Sequence, residues 1–173
     1  QIIATGPVEL EGDVRFSSDG KIESFDTITI AADANVDLNK VKASEINNQA
    51  AETSTDALKT MLKNATTVTV KNTTIDARTD LAGKTLNAAA LEVTAMPQNA
   101  TANSVNATSV DASAVDVTTT DNLNALLGWA KDVEVKTATL DADAVIASGI
   151  KLTTSQIDAT NADVTVANGG TLV

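Results

Sequence analysis

The chain has 173 residues, a formal charge of −11, no Cys and no His. That length is enough to bury one core, but aromatic residues make up only 2% of it, namely Phe16, Phe25 and Trp129, too few for a globule filled with large rings. The acidic balance argues against nucleic acid or an anionic membrane as partner, since both require Lys/Arg patches, and the lack of His, Cys and Tyr removes most general bases and nucleophiles.

Residues 1–30 alternate as strands do. Val8, Leu10, Val14 and Phe16 share one face, with Glu9, Glu11 and Arg15 opposite or between. Ser18-Asp19-Gly20-Lys21 reads as a two-residue hairpin, because Asp-Gly accepts the positive φ angles of a type I′ turn. Ile22, Phe25, Ile28 and Ile30 then form the return strand. The expectation is an N-terminal β-hairpin that caps whatever follows.

From Val36 onward aliphatic residues recur every five positions: Val36, Val41, Ile46; Leu81, Leu86, Leu91, Met96; Val105, Val110, Val115; Leu140, Val145, Ile150; and, after a slip of two, Leu152, Ile157, Ala162. Five is the period of neither a helix nor a strand. It is the period of a chain that turns a corner every five residues and stacks on itself. A narrow stack has no room for aromatic rings and suits Ala, Val, Ile and Leu. The reading is a mainly β chain, a β-solenoid over residues 31–173.

A longer repeat overlies the short one. Residues 53–77 match residues 118–142 without a gap, and 12 of the 25 positions are identical. This makes duplicated units of 53–117 and 118–173. Each unit opens with a short helix, with N-cap oxygens from Thr55-Asp56 and Thr120-Asp121. Leu58, Met61, Leu62 and Ala65 share one helix face, as do Leu123, Leu126, Leu127 and Ala130. A strand follows each helix, at Val68–Val70 and Val133–Val135. Helices of about ten residues do not hold alone, so both must dock on the sheet, and Trp129 is expected as the wedge. The run Gly169-Gly170-Thr171-Leu172-Val173 reads as the start of another strand, so the chain is taken as a segment of a longer protein.

Recurring Asp residues follow the aliphatic positions at Asp76, Asp111, Asp141 and Asp158. Two readings compete. Asp after a strand caps the turn by accepting backbone N–H bonds, or stacked carboxylates share a Ca²⁺ ion. The candidate metal ligands are Asp141 with Asp143 and Asp158 with Asp163. Catalysis is not expected: a carboxylate pair could serve a glycosidase, but the chain has two Arg and almost no rings to hold a sugar. Threonines around Thr69 and Thr118 change register between the two units, so a flat ice-binding face is not expected. Four Asn-x-Ser/Thr sequons occur, at Asn64, Asn72, Asn99 and Asn106.

The run VNATS-VDASA-VDVTT resembles the pentapeptide-repeat proteins. Small residues stand two before the central aliphatic, as Thr108 before Val110, Ser113 before Val115 and Ala89 before Leu91. In that family the Asp/Asn precedes the central residue, whereas here Asn106, Asp111, Asp141 and Asp158 follow it, and helices interrupt the repeat. The resemblance implies a right-handed β-helix. The acidic, Cys-free, Thr/Asn/Ala/Val-rich composition is similar to that of bacterial or archaeal surface-layer proteins and secreted adhesins, although no GGxGxD calcium motif is present. That likeness implies an extracellular structural protein that associates with itself, stabilised by Ca²⁺ between acidic loops. A surface glycan is a further partner it implies. The alternatives are an acidic DNA mimic that binds a DNA-handling enzyme, as pentapeptide-repeat proteins bind gyrase, and a carbohydrate-binding β-helix. No membrane-spanning run is present, the longest apolar stretches being too short.

Overall fold

Small and branched apolar residues alternate with polar ones along most of the chain, and this alternation produces strands buried on one face. The computed structural model describes residues 1–173 and is mainly β. Its first strands are β1 (Ile2–Ala4), β2 (Val8–Leu10), β3 (Ile22–Ile30), β4 (Val41–Asn48) and β5 (Glu52–Thr53). Helix α1 (Thr55–Asn64) precedes β6 (Thr67–Thr69), β7 (Asn72–Ile75), β8 (Thr85–Val93) and β9 (Val105–Val117). Helix α2 (Thr120–Trp129) precedes β10 (Asp132–Thr139), β11 (Ala144–Ile146), β12 (Lys151–Asp158), β13 (Val164–Val166) and β14 (Thr171–Leu172).

Twelve strands form one sheet, β11 and β13 form a second, and every pairing is parallel. The longest path, β1-β3-β4-β6-β8-β9-β10-β12-β14, follows chain order. Partners lie 18 residues apart at Ile28 and Ile46, 20 apart at Ile2 and Ile22, and 23 apart at Val110 and Val133. The sheet does not close on itself. This is consistent with a β-helix-like fold.

Inward side chains line up in rows across the sheet. One row contains Ile28, Ile46, Val68, Leu86 and Val105; the next contains Leu91, Val110, Val133 and Leu152. All nine are buried. Between layers the chain reverses through hydrogen-bonded turns that stack. Gly20, Lys40, Lys84, Ser104, Ile150 and Gly170 each donate their N–H to the carbonyl three residues earlier. Gly149 and Gly169 lie at φ +81° and +87° in the last two of these turns, a conformation that disfavours any residue with a Cβ.

The expected N-terminal hairpin is not formed. β1 and β2 both pair with β3 in parallel. The Gly20 N–H bonds to the Ser17 carbonyl at 2.9 Å, so Ser18 and Asp19 are the central turn residues, and neither has positive φ. A type I′ turn needs positive φ at both, so the strands splay instead of pairing. Residues 1–30 are thus the first layers of the same sheet.

The five-residue spacing has a different origin from a corner at every fifth position. Val105, Val110 and Val115 all lie in the single strand β9. Burial follows i, i+2, i+5, as in Val41, Ala43, Ile46; in Val110, Ala112, Val115; and in Val133, Val135, Ala138. Two successive outward residues mark a bend, seen as a register slip between Ser24 and Thr27 on β3 and between Val135 and Thr137 on β10. The spacing of five therefore measures one straight pair plus one bend. It fails at Val145, which is 56% exposed, because β11 pairs Ala144 with Val164 and Ile146 with Val166, and so turns Ala144 and Ile146 inward.

The helices form where expected, with caps one residue earlier. Ser54 Oγ accepts from Ala57 N at 3.1 Å and Thr119 Oγ1 from Asn122 N at 3.2 Å. Asp56 and Asp121 fall in the first turn, where a carboxylate complements the helix dipole. Leu58, Met61, Leu62 and Ala65 are buried, as are Leu123, Leu126, Trp129 and Ala130; Leu127 is half-buried. Each helix stands where the preceding strand held its first row. β4 starts in the row of Val41, whereas β6 starts one row later, at Val68; β9 starts at Val105, and β10 one row later, at Val133. The two copies of the long repeat are therefore displaced by one row: Val68 aligns with Val105, and its counterpart Val133 with Val110.

Candidate functional site

Of the four aspartates singled out as metal ligands, Asp158 accepts within its own turn, Asp141 and Asp143 accept from neighbouring layers, and Asp163 donates its backbone N–H. Asp158 Oδ1 accepts from Thr160 N and Oγ1 at 3.1 and 2.6 Å. Asp143 Oδ1 accepts from Asp163 N at 2.9 Å, and Asp141 Oδ1 from Thr120 N at 2.9 Å. Asp143 and Asp163 thus come together on neighbouring layers, while Asp141 faces the start of α2. Asp111 bonds to Ser113 and Asp76 to Arg78 in the same i to i+2 manner. No group of three or more acidic side chains is arranged to hold a metal ion.

Thr120 ties helix to sheet. It is buried; its Oγ1 donates to the Ala142 carbonyl at 2.9 Å and accepts from Asp141 N and Ala142 N at 3.1 and 3.0 Å. Thr120→Val keeps the shape and removes all three bonds, leaving backbone groups without partners. The expected cost is about 2–3 kcal/mol in urea denaturation; a loss below about 0.5 kcal/mol would show that water replaces the hydroxyl without penalty.

Hydrogen bonds to the carboxylates hold Asp76 (from Arg78), Asp80 (from Asn99), Asp111 (from Ser113), Asp141 (from Thr120) and Asp158 (from Thr160) below the ordinary 3.8. A carboxylate depressed in the fold contributes stability above its unfolded pKa and loses it as pH falls through the folded value. Acidification from neutral pH first relieves the repulsion of the −11 charge. Below about pH 4 the aspartate contributions disappear, so the melting temperature is expected to fall steeply there. Asp158→Asn should make that acid limb shallower; an unchanged slope would remove Asp158 from the set.

Two outward arrays cross the strands. The first is a polar ladder that sequence reading did not find. Thr69 Oγ1 donates to Glu45 Oε1 at 2.9 Å, Asn87 Nδ2 donates to Thr69 Oγ1 at 3.2 Å, and Asn106 Nδ2 donates to Asn87 Oδ1 at 3.1 Å. Only their common spacing of 18 or 19 residues from Thr69 onward could have signalled it. The ladder also commits the amide of the Asn106 sequon; the Asn64 amide donates to Leu38 O and the Asn99 amide to Asp80, while Asn72 is exposed on β7. The second array is acidic: Glu92, Asp111 and Glu134 are exposed and directly adjacent on β8, β9 and β10. Glu92 and Asp111, with Glu52, Asn72, Thr74 and Ser109, line a groove of about 330 Å³.

At the C-terminal end of α2, Trp129 is 1% exposed and its Nε1 donates to Thr101 O at 2.6 Å. A Cβ on Gly128 would lie 2.6 Å from the Ala102 Cβ. The helix end and the turn before β9 therefore meet as closely as a glycine permits, and Trp129 is the expected wedge. No family model, curated protein or solved structure matches the chain.

Proposed function

We propose that the protein is a structural β-solenoid of the cell surface, without enzymatic activity, whose copies associate as a segment of a surface layer or adhesin. The observation that carries this reading is the parallel sheet advancing in chain order through the whole chain. Such a sheet repeats its outward chemistry once per strand and offers long periodic surfaces rather than one catalytic cleft. The acidic, Cys-free composition fits an extracellular setting that does not rely on disulfides. Ca²⁺ enters the proposal as a bridge between acidic loops of neighbouring copies. Light scattering and electron microscopy across a concentration series, with Ca²⁺ or with chelator, test it. Filaments or sheets are expected, and monomers under every condition would exclude association.

A further inference from the structure

An Asn-x-Ser/Thr sequon accepts an N-linked sugar when its amide and the hydroxyl two residues on both reach solvent. The fold separates the four sequons of this chain. Asn64 is half-buried, and its Nδ2 donates to Leu38 O at 3.1 Å. Asn99 Nδ2 donates to Asp80 Oδ1 at 2.8 Å, and Asn106 Nδ2 to Asn87 Oδ1 at 3.1 Å. Each of these bonds spans 19 residues or more and ties one layer to the next. Glycosylation replaces one amide hydrogen with a sugar ring, which at these three sites crowds an oxygen that holds two layers together. Asn72 is exposed and its amide engages no other group of the chain.

Asn72 opens β7 directly after the bend at Lys71. Its neighbours along the row are Glu52 on β5, Ala90 on β8 and then Ser109 on β9. Ala90 and Ser109 are small, so the surface beside Asn72 falls away into the groove of about 330 Å³ that all three line. Side chains alternate across a strand. Thr73 turns inward, where it is buried and donates from Oγ1 to Thr53 O at 2.9 Å, so Asn72 and Thr74 share the outer face. The acceptor amide and the hydroxyl of this sequon therefore lie on one side. Glu92 and Asp111 line the same groove and form no ion pair. Their carboxylate oxygens can accept hydrogen bonds from sugar hydroxyls.

We propose that Asn72 is the N-glycosylation site of the protein, and that its glycan begins in the groove over Ala90 and Ser109. The donor is a lipid-linked sugar pyrophosphate. Asn72 Nδ2 forms the bond to the anomeric carbon, and the bond from that carbon to the pyrophosphate oxygen breaks. The lipid pyrophosphate leaves, and one amide proton passes to the transferase. The attached chain of hydroxyls then covers a face on which Glu92, Asp111 and Glu134 stand on adjacent strands and repel one another. The site rests on the cell-surface reading, because the transfer acts on exported chains.

The test is secretion of the intact chain from a eukaryotic host, with the occupancy of each sequon read by mass spectrometry after enzymatic release of the glycan. Asn72 is expected to be occupied in the folded, secreted fraction. Thr74→Ala removes the sequon hydroxyl and is expected to abolish that glycan, whereas Asn99→Gln and Asn106→Gln leave it in place. Urea denaturation then compares the glycosylated chain with Asn72→Gln, and the glycosylated chain is expected to be at least as stable. An empty Asn72, or occupancy confined to Asn64, Asn99 or Asn106, would overturn the site. A glycosylated chain less stable than Asn72→Gln would overturn it too, since the fold would then not accommodate the sugar. Filaments formed by a chain with Asn72 empty would sink the site and leave association intact. Monomers under every condition with Asn72 occupied would do the reverse.

Discussion

Trp129→Ala is expected to cost about 3–5 kcal/mol, the usual range for deleting a buried aromatic side chain. The ring is the largest fully buried side chain and also supplies the bond to Thr101 O. It stands at the point where α2 replaces the first row of a strand, so its loss uncouples the helix end from the turn before β9. Trp129→Phe separates the two contributions. Most of the apolar volume stays and one hydrogen bond goes, so a loss of about 1–2 kcal/mol is expected. Circular dichroism in urea is the suitable probe, since Trp129 is the only Trp of the chain. A loss below about 1 kcal/mol for Trp129→Ala would mean that the helix end is not anchored by the ring.

Ile146→Ala is expected to cost about 2–4 kcal/mol, while its neighbour Val145→Ala stays within about 0.5 kcal/mol. Ile146 is 0% exposed and Val145 is 56% exposed. The five-residue spacing from Leu140 to Ile150 assigns the inward position to Val145, so this pair of variants decides between the spacing and the register. Equal costs at the two positions, or a larger one at Val145, would put β11 out of register by one residue, which turns every side chain of a strand to the other face.

Much of the architecture was readable from one chain because it is repetitive. The alternation of small apolar and polar residues specifies strands, and the scarcity of rings excludes a thick core. The matching segments 53–77 and 118–142 announce two helices at equivalent places. The buried faces of these helices were legible residue by residue, since a ten-residue amphipathic helix has one stripe to bury. The caps, Ser54 and Thr119, lie one residue before the expected pairs, because Ser, Thr and Asp all accept at an N-cap and adjacent candidates differ only in backbone conformation. The Ser18–Lys21 turn departs from a hairpin for a similar reason. Asp-Gly permits a type I′ turn but does not impose one, and the parallel partner Val41–Asn48 lies outside any local window.

The surface arrays were legible only in fragments. The aspartates after the aliphatic positions were visible; at Asp76, Asp111 and Asp158 the bond to the N–H two residues on follows from local chemistry, whereas Asp141 accepts from Thr120 in another layer. The Glu45–Thr69–Asn87–Asn106 ladder and the Glu92–Asp111–Glu134 row were not, because their members come from different layers.

By itself, the sequence determined that the chain is mainly β, where its two helices lie, and which residue types fill the interior, since these follow from local periodicity and side-chain size. The tertiary structure alone decided that all strands run parallel, that Ile146 rather than Val145 faces inward, and that the two repeats are displaced by one row. Each of these depends on which strand lies alongside which. A pairing register is set by the whole stack at once, through the fit of buried rows and the hydrogen bonds between layers, and a one-residue shift that leaves the local pattern intact exchanges the core for the surface.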